Sequence, residues 1–478
     1  MGRKLLLLML LALLIGTLNL ASRVEKAKAS GTIYIRTDGR IDPPTTPIVT
    51  VDKITYTFTG NIYDSIVVER DNIVVDGDDH ATQGIGTGTG IELSYRSNVT
   101  IENVVITQFD FGISLNHSAN CAIVRNIMME NSFEAIRLYE SSSNNITSND
   151  INATEYDGIV LYGSSDNKIE ENNLTDNYDG IRLYESSKND ITENIVASNY
   201  YGIFLALSSN NSIFHNNVTT NDGNGVSLAW SSSENRIEEN HIEANKWCGI
   251  YLNASSSNLI YHNSFVDNAQ QISVNDSPSL WDDGYPSGGN YWSNYTGVDV
   301  KCSSYQNETG SDGVGDTPYI IDANNTDHYP LMGMFQSYNV TYFTPPLVAH
   351  SCSVTVISNS TVSNFVTLIW IEHPEVIMIE FNVTEEQGTT GFCRVSFPTA
   401  MMNGTYHVLV NGTEVPYILL PCSNADYSHL YFTYTHSTKG VIIIPEFPSF
   451  IILPLFMITT LLAVIVYRKK HAKISGTP

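Results

Sequence analysis

A chain of 478 residues, 42% of them hydrophobic, is long enough for two or three domains and too apolar for wholesale disorder. Only 15% of residues are charged, yet 50 acids against 24 bases leave a formal charge of -26, which excludes nucleic acid as a natural partner because phosphate binding needs concentrated lysine and arginine. Polarity comes instead from Ser, Thr and 46 Asn, of which 31 lie between Asn98 and Asn275, and so uneven a distribution points to a repeat.

At the start, Arg3 and Lys4 precede an apolar run over residues 5–15. The run is too short to span a bilayer and has the length of a secretory h-region, so residues 1–29 are expected to be an export signal. Cleavage fits either Ala27-Lys28-Ala29 or a site nearer Ala21. Residues 30–89 then read as an N-terminal cap and first coils, and residues 90–277 as the repeats proper.

In these repeats a small residue followed by Ile or Val, any residue and Leu starts at Gly90, Gly112, Ala135, Gly158, Gly180, Gly202, Gly225 and Gly249, every 22 to 24 residues. A second landmark keeps that period through Asn103, Asn126, Asn149, Asn172, Asn194, Asn216, Asn240 and Asn263. A third runs through Asn177, Asn199, Asn221, Asn245 and Asn268. Each repeat holds short Ile/Val/Leu alternations of period two separated by Asn, Ser and Gly, which predicts three brief strands joined by turns. Leucine-rich repeats lack this pattern and a propeller needs about twice the period. What remains is a parallel β-helix, one coil per repeat, with Ile and Leu stacked inside and turn Asn side chains laddered along the axis.

The repeats resemble the NosD-type β-helix family, which is grouped with carbohydrate-binding and sugar-hydrolase β-helices. The resemblance rests on Ile-x-x-Asn-x-Ile and Gly-Ile-x-Leu in successive coils. It rests also on the entry Asp71-Asn72-Ile73-Val74-Val75-Asp76-Gly77, and on the exit Gly289-Asn290-Tyr291-Trp292-Ser293 with Asp312-Gly313-Val314-Gly315-Asp316. It implies a right-handed β-helix and places residues 278–333 as its C-terminal cap. Named members assist copper-site assembly in a periplasmic reductase, a role that no metal motif here carries across.

Beyond the cap, β-rich segments at 353–357, 366–371, 376–383, 392–397, 405–410 and 430–434, with Asn411-Gly412 as a hairpin turn, predict a small β-sandwich stalk over residues 334–442. Cys393 and Cys422 flank such segments and are the candidate disulfide in an exported chain. Residues 443–449 form a linker in which Pro445-Glu446-Phe447 resembles the archaeal PEF-CTERM sorting signal, implying a sorting enzyme as partner. Residues 450–467 carry no charge and can just cross a bilayer as a single helix. Arg468, Lys469 and Lys470 follow, so residues 468–478 are expected in the cytoplasm and the rest outside. Sequons at Asn98, Asn145, Asn217, Asn294, Asn339, Asn382 and Asn411 suit an exported glycoprotein.

Chemistry is expected where outward positions align on successive coils, ~4.8 Å apart. Tyr139, Tyr162 and Tyr184 should form one column, flanked by Arg137, Arg182, Glu140 and Glu185, which together suit an extended neutral or acidic glycan or envelope polymer. Asp157 and Asp179 are the candidate pair should the same face be that of a polysaccharide hydrolase or lyase. His215, Glu239 and His262 precede the Asn landmark on three coils and are a candidate metal column for copper. Asp312 and Asp316 lie in an acid-glycine segment that lacks the spacing of a calcium loop and reads as a cap-closing loop, with calcium binding as the alternative. No cofactor is required by the leading reading, an anchored cell-surface protein without catalysis. The alternatives are an anchored hydrolase or lyase and a NosD-like copper-site accessory protein.

Overall fold

The computed structural model describes residues 31–344, 348–370, 373–402 and 404–446. The export signal, the membrane-crossing segment, the basic tail and Phe447 lie outside the described residues. Every regular element described is a strand, and among these residues no helix is long and apolar enough to cross a membrane.

Two compact units divide the chain, one running to Leu280 without Tyr261–Ser264, the other holding that short segment and all that follows from Trp281. The first is a right-handed parallel β-solenoid. Its first sheet has 12 strands, ending at Gln270–Asn275. A second sheet passes from Ile48–Val49 through Arg236–Glu238, and a third from Ala81–Gln83 through His241–Glu243. Each strand pairs with its counterpart one repeat later: Ile136 faces Ile159, Ile159 faces Ile181, and Ile181 faces Ile203, all of them without solvent exposure. Leu138, Leu161, Leu183 and Leu205 form a second inner column on the same strands.

Turns between strands decide whether such stacking is affordable in free energy. Arg125, Ser148, Glu171, Glu193, His215 and Glu239 occupy one corner of successive coils, all with φ between 53° and 57°. For an L-residue this left-handed backbone costs ~1–2 kcal/mol. The next residue offsets it. Asn126, Asn149, Asn172, Asn194, Asn216 and Asn240 are buried there, and each Nδ2 donates to the Oδ1 of the next at 2.9 to 3.0 Å. That Oδ1 also accepts the backbone N–H of the Asn one coil earlier, as in Asn149 to Asn172 at 3.0 Å. Asn103 does not belong to this column, because Val104 holds the ladder position and its N–H donates to Asn126 Oδ1, while Asn103 takes the left-handed corner.

Asn177, Asn199, Asn221, Asn245 and Asn268 form the second expected ladder. A third, unforeseen, runs through Asn144, Asn167, Asn189, Asn211, Asn235 and Asn258. Close to it, the hydroxyls of Ser141, Ser164, Ser186, Ser208, Ser232, Ser255 and Ser277 each accept the backbone N–H of the serine one coil before.

In the second unit the exit motif is organised by a residue the sequence did not single out. Asp327 is fully buried, and its Oδ2 accepts both the Asn290 N–H and the Trp292 indole N–H at 2.8 Å. Residue 289 must be glycine because a Cβ there would lie 1.9 Å from Asp327 Oδ1. The C-terminal strands form two antiparallel sheets of five, one with Met334–Thr344, Val348–Ser358, Thr390–Pro398, Tyr427–Thr435 and Tyr417–Leu419, the other with Thr361–Trp370, His373–Thr384, Lys439–Pro445, Tyr406–Val410 and Thr413–Val415. Val356, Phe397 and Phe432 of the first share a buried cluster with Ile379, Phe381 and Val408 of the second. Asn411 and Gly412 both have positive φ, as a two-residue hairpin turn between Val410 and Thr413 requires.

Replacing Asn172 by Ala removes the acceptor for two buried Asn149 donors and two donations of its own, so unfolding in urea should show a loss of roughly 2–5 kcal/mol. Asn173→Ala, whose amide bonds Asp150 at the surface, should stay within about 0.5 kcal/mol.

Candidate functional site

Strands Glu134–Tyr139, Ile159–Tyr162, Asp179–Tyr184 and Tyr201–Ala206 lie side by side in the first sheet, so their outward residues form columns. The expected aromatic column is present: Tyr139 is in register with Tyr162 and Tyr162 with Tyr184. Tyr139 is exposed, and the Tyr162 and Tyr184 rings are 6.3 Å apart. His117 extends the line, 6.0 Å from the Tyr139 ring and 4.9 Å from Tyr95, with its Nε2 2.7 Å from Glu140. Glu185 is exposed at the corresponding corner.

A second aromatic line, missed in the sequence, follows the bend that leads into these strands. Phe133, Tyr156, Tyr178, Tyr200 and Trp247 all stand two residues before the small residue of the core motif. Phe133 stacks on Tyr156 at 5.3 Å and Tyr178 on Tyr200 at 5.0 Å. Residue 223 breaks the aromatic series because a side chain there would meet the Tyr201 ring at 2.8 Å. With glycine in that place, Tyr200 and Tyr201 reach Trp247 at 5.6 and 5.8 Å. The spacing of 23, 22 and 22 residues from Phe133 to Tyr200 was the available signal.

Between the two aromatic lines lies a charged strip. Glu134, Asp157 and Asp179 occupy one column, with Arg137 and Arg182 in the next, separated by buried Val160. Arg182 Nη1 is 3.5 Å from both Asp157 Oδ2 and Asp179 Oδ2. Asp157 Oδ1 accepts the Asp179 N–H at 3.2 Å. Burial pushes the Asp179 carboxyl up to about 8, reinforced by the neighbouring Asp157 charge, and pushes Glu134 up to about 7. Asp157 is raised by burial against the pull of Arg182. Three polar atoms of the strip are buried without a hydrogen-bond partner: Glu134 Oε2, Arg137 Nε and Asp179 Oδ1. The Asp157 and Asp179 side chains are only 3% and 2% exposed, so they sit beneath the face and hold Arg182.

The remaining candidate sites do not come together. His215 Nε2 is spent on Glu239 Oε2 at 2.6 Å, both at left-handed corners that turn outward. His262, in the second unit, stacks on Phe335 at 3.8 Å and bonds Ser287. Asp312 Oδ1 accepts the Val314 N–H, and Asp316 accepts those of Val300 and Lys301, so these carboxylates close a loop on backbone donors. Among the described residues no group of three or more His, Cys, Asp or Glu is placed to hold a metal ion. Nor do Cys393 and Cys422 form a disulfide. The Cys393 thiol is buried against Ser358 and Tyr434, while Cys422 packs beside a different cluster that includes Val314 and Leu331.

The pattern describing the family of periplasmic copper-binding proteins (NosD) matches residues 50–222 and 195–297, just over half of the chain. No curated protein matches it. Among solved structures the chain is similar to the periplasmic alginate epimerase AlgG, at 18% identity over 57% of this chain and 74% of that one, with a TM-score of 0.39. It is similar to the A-module of mannuronan C-5 epimerase AlgE4 from Azotobacter vinelandii at 16% identity, over 52% and 87% of the two chains, with a TM-score of 0.32. It is also similar to the Dettilon tailspike protein at 13% identity, over 80% and 87%, with a TM-score of 0.30. The copper in the family description does not fit the donors found here: among the described residues no group of three or more His, Cys, Asp or Glu is placed to hold a metal ion, and the buried thiols lie apart, Cys121 just before the strand Ala122–Val124 of the second sheet and Cys248 in the strand Cys248–Asn253 of the first.

Raised carboxyl pKa values make the folded chain hold protons that the unfolded chain releases near pH 4. Their stabilising contribution is therefore complete below about pH 4 and is lost as pH rises through the values of about 7 and 8 at Glu134 and Asp179. Thermal melts should fall from pH 5 to pH 9, and a Glu134→Gln, Asp179→Asn double variant should flatten that slope. A wild-type melt that rises over this range would contradict the buried strip.

Proposed function

We propose that this chain, which belongs to the NosD family, is a non-catalytic glycan-binding protein displayed outside the cell on a membrane anchor. The observation that carries the reading is the pairing of two aromatic lines, Tyr139-Tyr162-Tyr184 and Phe133-Tyr156-Tyr178-Tyr200-Trp247, on either side of a strip whose buried polar atoms lack partners. Aromatic faces pack against the apolar C–H faces of sugar rings, and the polar strip between them offers donors and acceptors to hydroxyls. The lines follow the solenoid axis, and one coil rises ~4.8 Å. An extended polymer lying along the axis meets a fresh set of the same contacts on every coil.

Burial of Asp157 and Asp179 favours binding over hydrolysis, because a general acid or nucleophile must reach the reacting atoms. The β-strands after Met334 serve in this reading as a β-sandwich stalk, and the uncharged segment at 450–467 as the anchor, with Pro445, Glu446 and Phe447 offered to a sorting enzyme. Copper-site assembly, the role of named family members, finds no donor set among the described residues to support it.

Replacing Tyr139, Tyr162 and Tyr184 together by Ala should weaken retention on immobilised polysaccharide by roughly tenfold or more, since each aromatic contact contributes ~0.5–1.5 kcal/mol, and should leave the circular dichroism spectrum unchanged. Unaltered retention would remove this face from consideration. Product release measured beside retention should be nil for the wild type, and reducing ends appearing in the wild type but not in an Asp157→Asn, Asp179→Asn variant would establish the hydrolase alternative. Protease added to intact cells should digest the solenoid and spare at most the tail after Tyr467; a fully protected chain would refute surface display.

A further inference from the structure

We propose that the cleft around Arg137 seats the anionic group of an acidic sugar, a carboxylate in the first place, so that the polymer bound by this face is a polyuronate. This rests on the glycan reading above and assigns the chemical class of its ligand. The argument starts from the two arginines of the strip, which share one column but not one environment. Arg182 has two carboxylates at 3.5 Å and a phenyl ring beside it. Arg137 is half-buried, its Nε is buried without a hydrogen-bond partner, and among the described residues no carboxylate forms an ion pair with it. Its guanidinium carbon is instead held 4.8 Å from the Phe111 ring centroid and 6.0 Å from that of Tyr139.

Aromatic rings fix a guanidinium in place without neutralising it. A half-buried cation left in that state is costly unless something else supplies the counter-charge. The space for it is present: a cleft of about 340 Å³ opens on Arg137, lined also by Glu92, Ser114, Asn116, His117, Phe111 and Tyr139. Glu92 stands at the other end of this cleft, two coils from Arg137 with Ser114 between them in register, and its carboxylate accepts from the Ser94 hydroxyl at 2.9 Å rather than pairing with the guanidinium. Burial holds Glu134 partly protonated near neutral pH, which leaves the arginine charge less offset than the count of acids suggests. Salt screens the overall charge of -26 beyond ~8–10 Å, so the groups around the cleft decide what it attracts. At contact, the planar fork of Arg137 matches a carboxylate bidentately, and the serine, asparagine and histidine groups around it suit the hydroxyls of the same sugar.

The test uses the full chain in detergent micelles and four immobilised polymers: polygalacturonate, its carboxyl-reduced form with the same linkages, dextran sulfate and dextran. Polygalacturonate should be retained at least tenfold more tightly than its carboxyl-reduced form, and the difference should shrink as salt is raised. Arg137→Gln should abolish that difference, weakening retention of polygalacturonate far more than that of the reduced polymer, with the circular dichroism spectrum unchanged. Arg137→Lys, which keeps the charge and loses the fork, should recover part of it. Equal retention of the parent and reduced polymers, or no change in Arg137→Gln, would overturn the proposal while leaving glycan binding standing. Retention of dextran sulfate without polygalacturonate would overturn the carboxylate assignment. Retention of none of the four would overturn this proposal together with the glycan reading on which it rests.

Discussion

One asparagine amide, accepting from the coil before and donating to the coil after, is the interaction on which the solenoid depends. A coil of 22 to 24 residues must turn sharply several times, and it does so by placing a residue such as Arg125, Glu171 or His215 in the left-handed region at the same corner of every turn. Left to itself that corner would strand backbone donors inside the protein, where each unpaired group costs ~1–3 kcal/mol. The buried amides of Asn149, Asn172 and Asn194 satisfy those donors and one another with the same atoms. Corner identity then becomes free, which is why arginine, serine, glutamate and histidine alternate there without disturbing the stack.

Fixed corners also fix the outside. Because the coils repeat without slippage, Tyr139, Tyr162 and Tyr184 line up as surely as the isoleucines beneath them, and a binding face can be drawn by changing outward residues alone. The face so drawn is uneven. Arg182 has the Asp157 and Asp179 carboxyl groups beneath it at 3.5 Å, whereas Arg137, two coils earlier, lies against the Phe111 and Tyr139 rings with no carboxylate in ion-pair reach among the described residues. Unpaired charge on a rigid scaffold is a form of preorganisation, since the scaffold has already met the cost of desolvating and orienting it.

The inner architecture was legible in the sequence because Ile136, Ile159 and Ile181 repeat with a period and a residue pattern that together single out a parallel β-helix, and two of the three asparagine columns were visible for the same reason. The third, through Asn144, Asn167 and Asn189, was hidden by composition: in a stretch so rich in Asn and Ser, one more periodic Asn does not stand out until its Oδ1 is seen accepting a neighbour. The Tyr139 column could be read because its strands are nearly identical in sequence. The Phe133 to Trp247 line could be found only by accepting Phe, Tyr and Trp as equivalent and tolerating Gly223 as a gap. Burial was the quantity the sequence could not supply. Asp157 and Asp179 align as a surface pair would, yet they lie under the face, and His215 and Glu239 satisfy each other where a metal column was expected. Asp327 carried no periodic signal at all, because its work is to close one motif at one place.

The ladders also have a direction. Every ladder Oδ1 accepts from the coil before, while each Nδ2 donates one hydrogen forward to the next Asn and the other to a backbone carbonyl one coil back, so the side-chain carbonyl dipoles add along the axis as peptide dipoles add along an α-helix. At the beginning the Oδ1 atoms of Asn126 and Asn177 accept the backbone N–H groups of Val104 and Thr154. At the far end of one column the Asn268 amide has no further asparagine to feed, and it donates to Gln271 Oε1 at 2.9 Å. A stack of nearly identical coils is thus electrically a bar with two unlike poles, with a donor-poor start and an acceptor-hungry finish, and whatever completes it at each end must match that polarity.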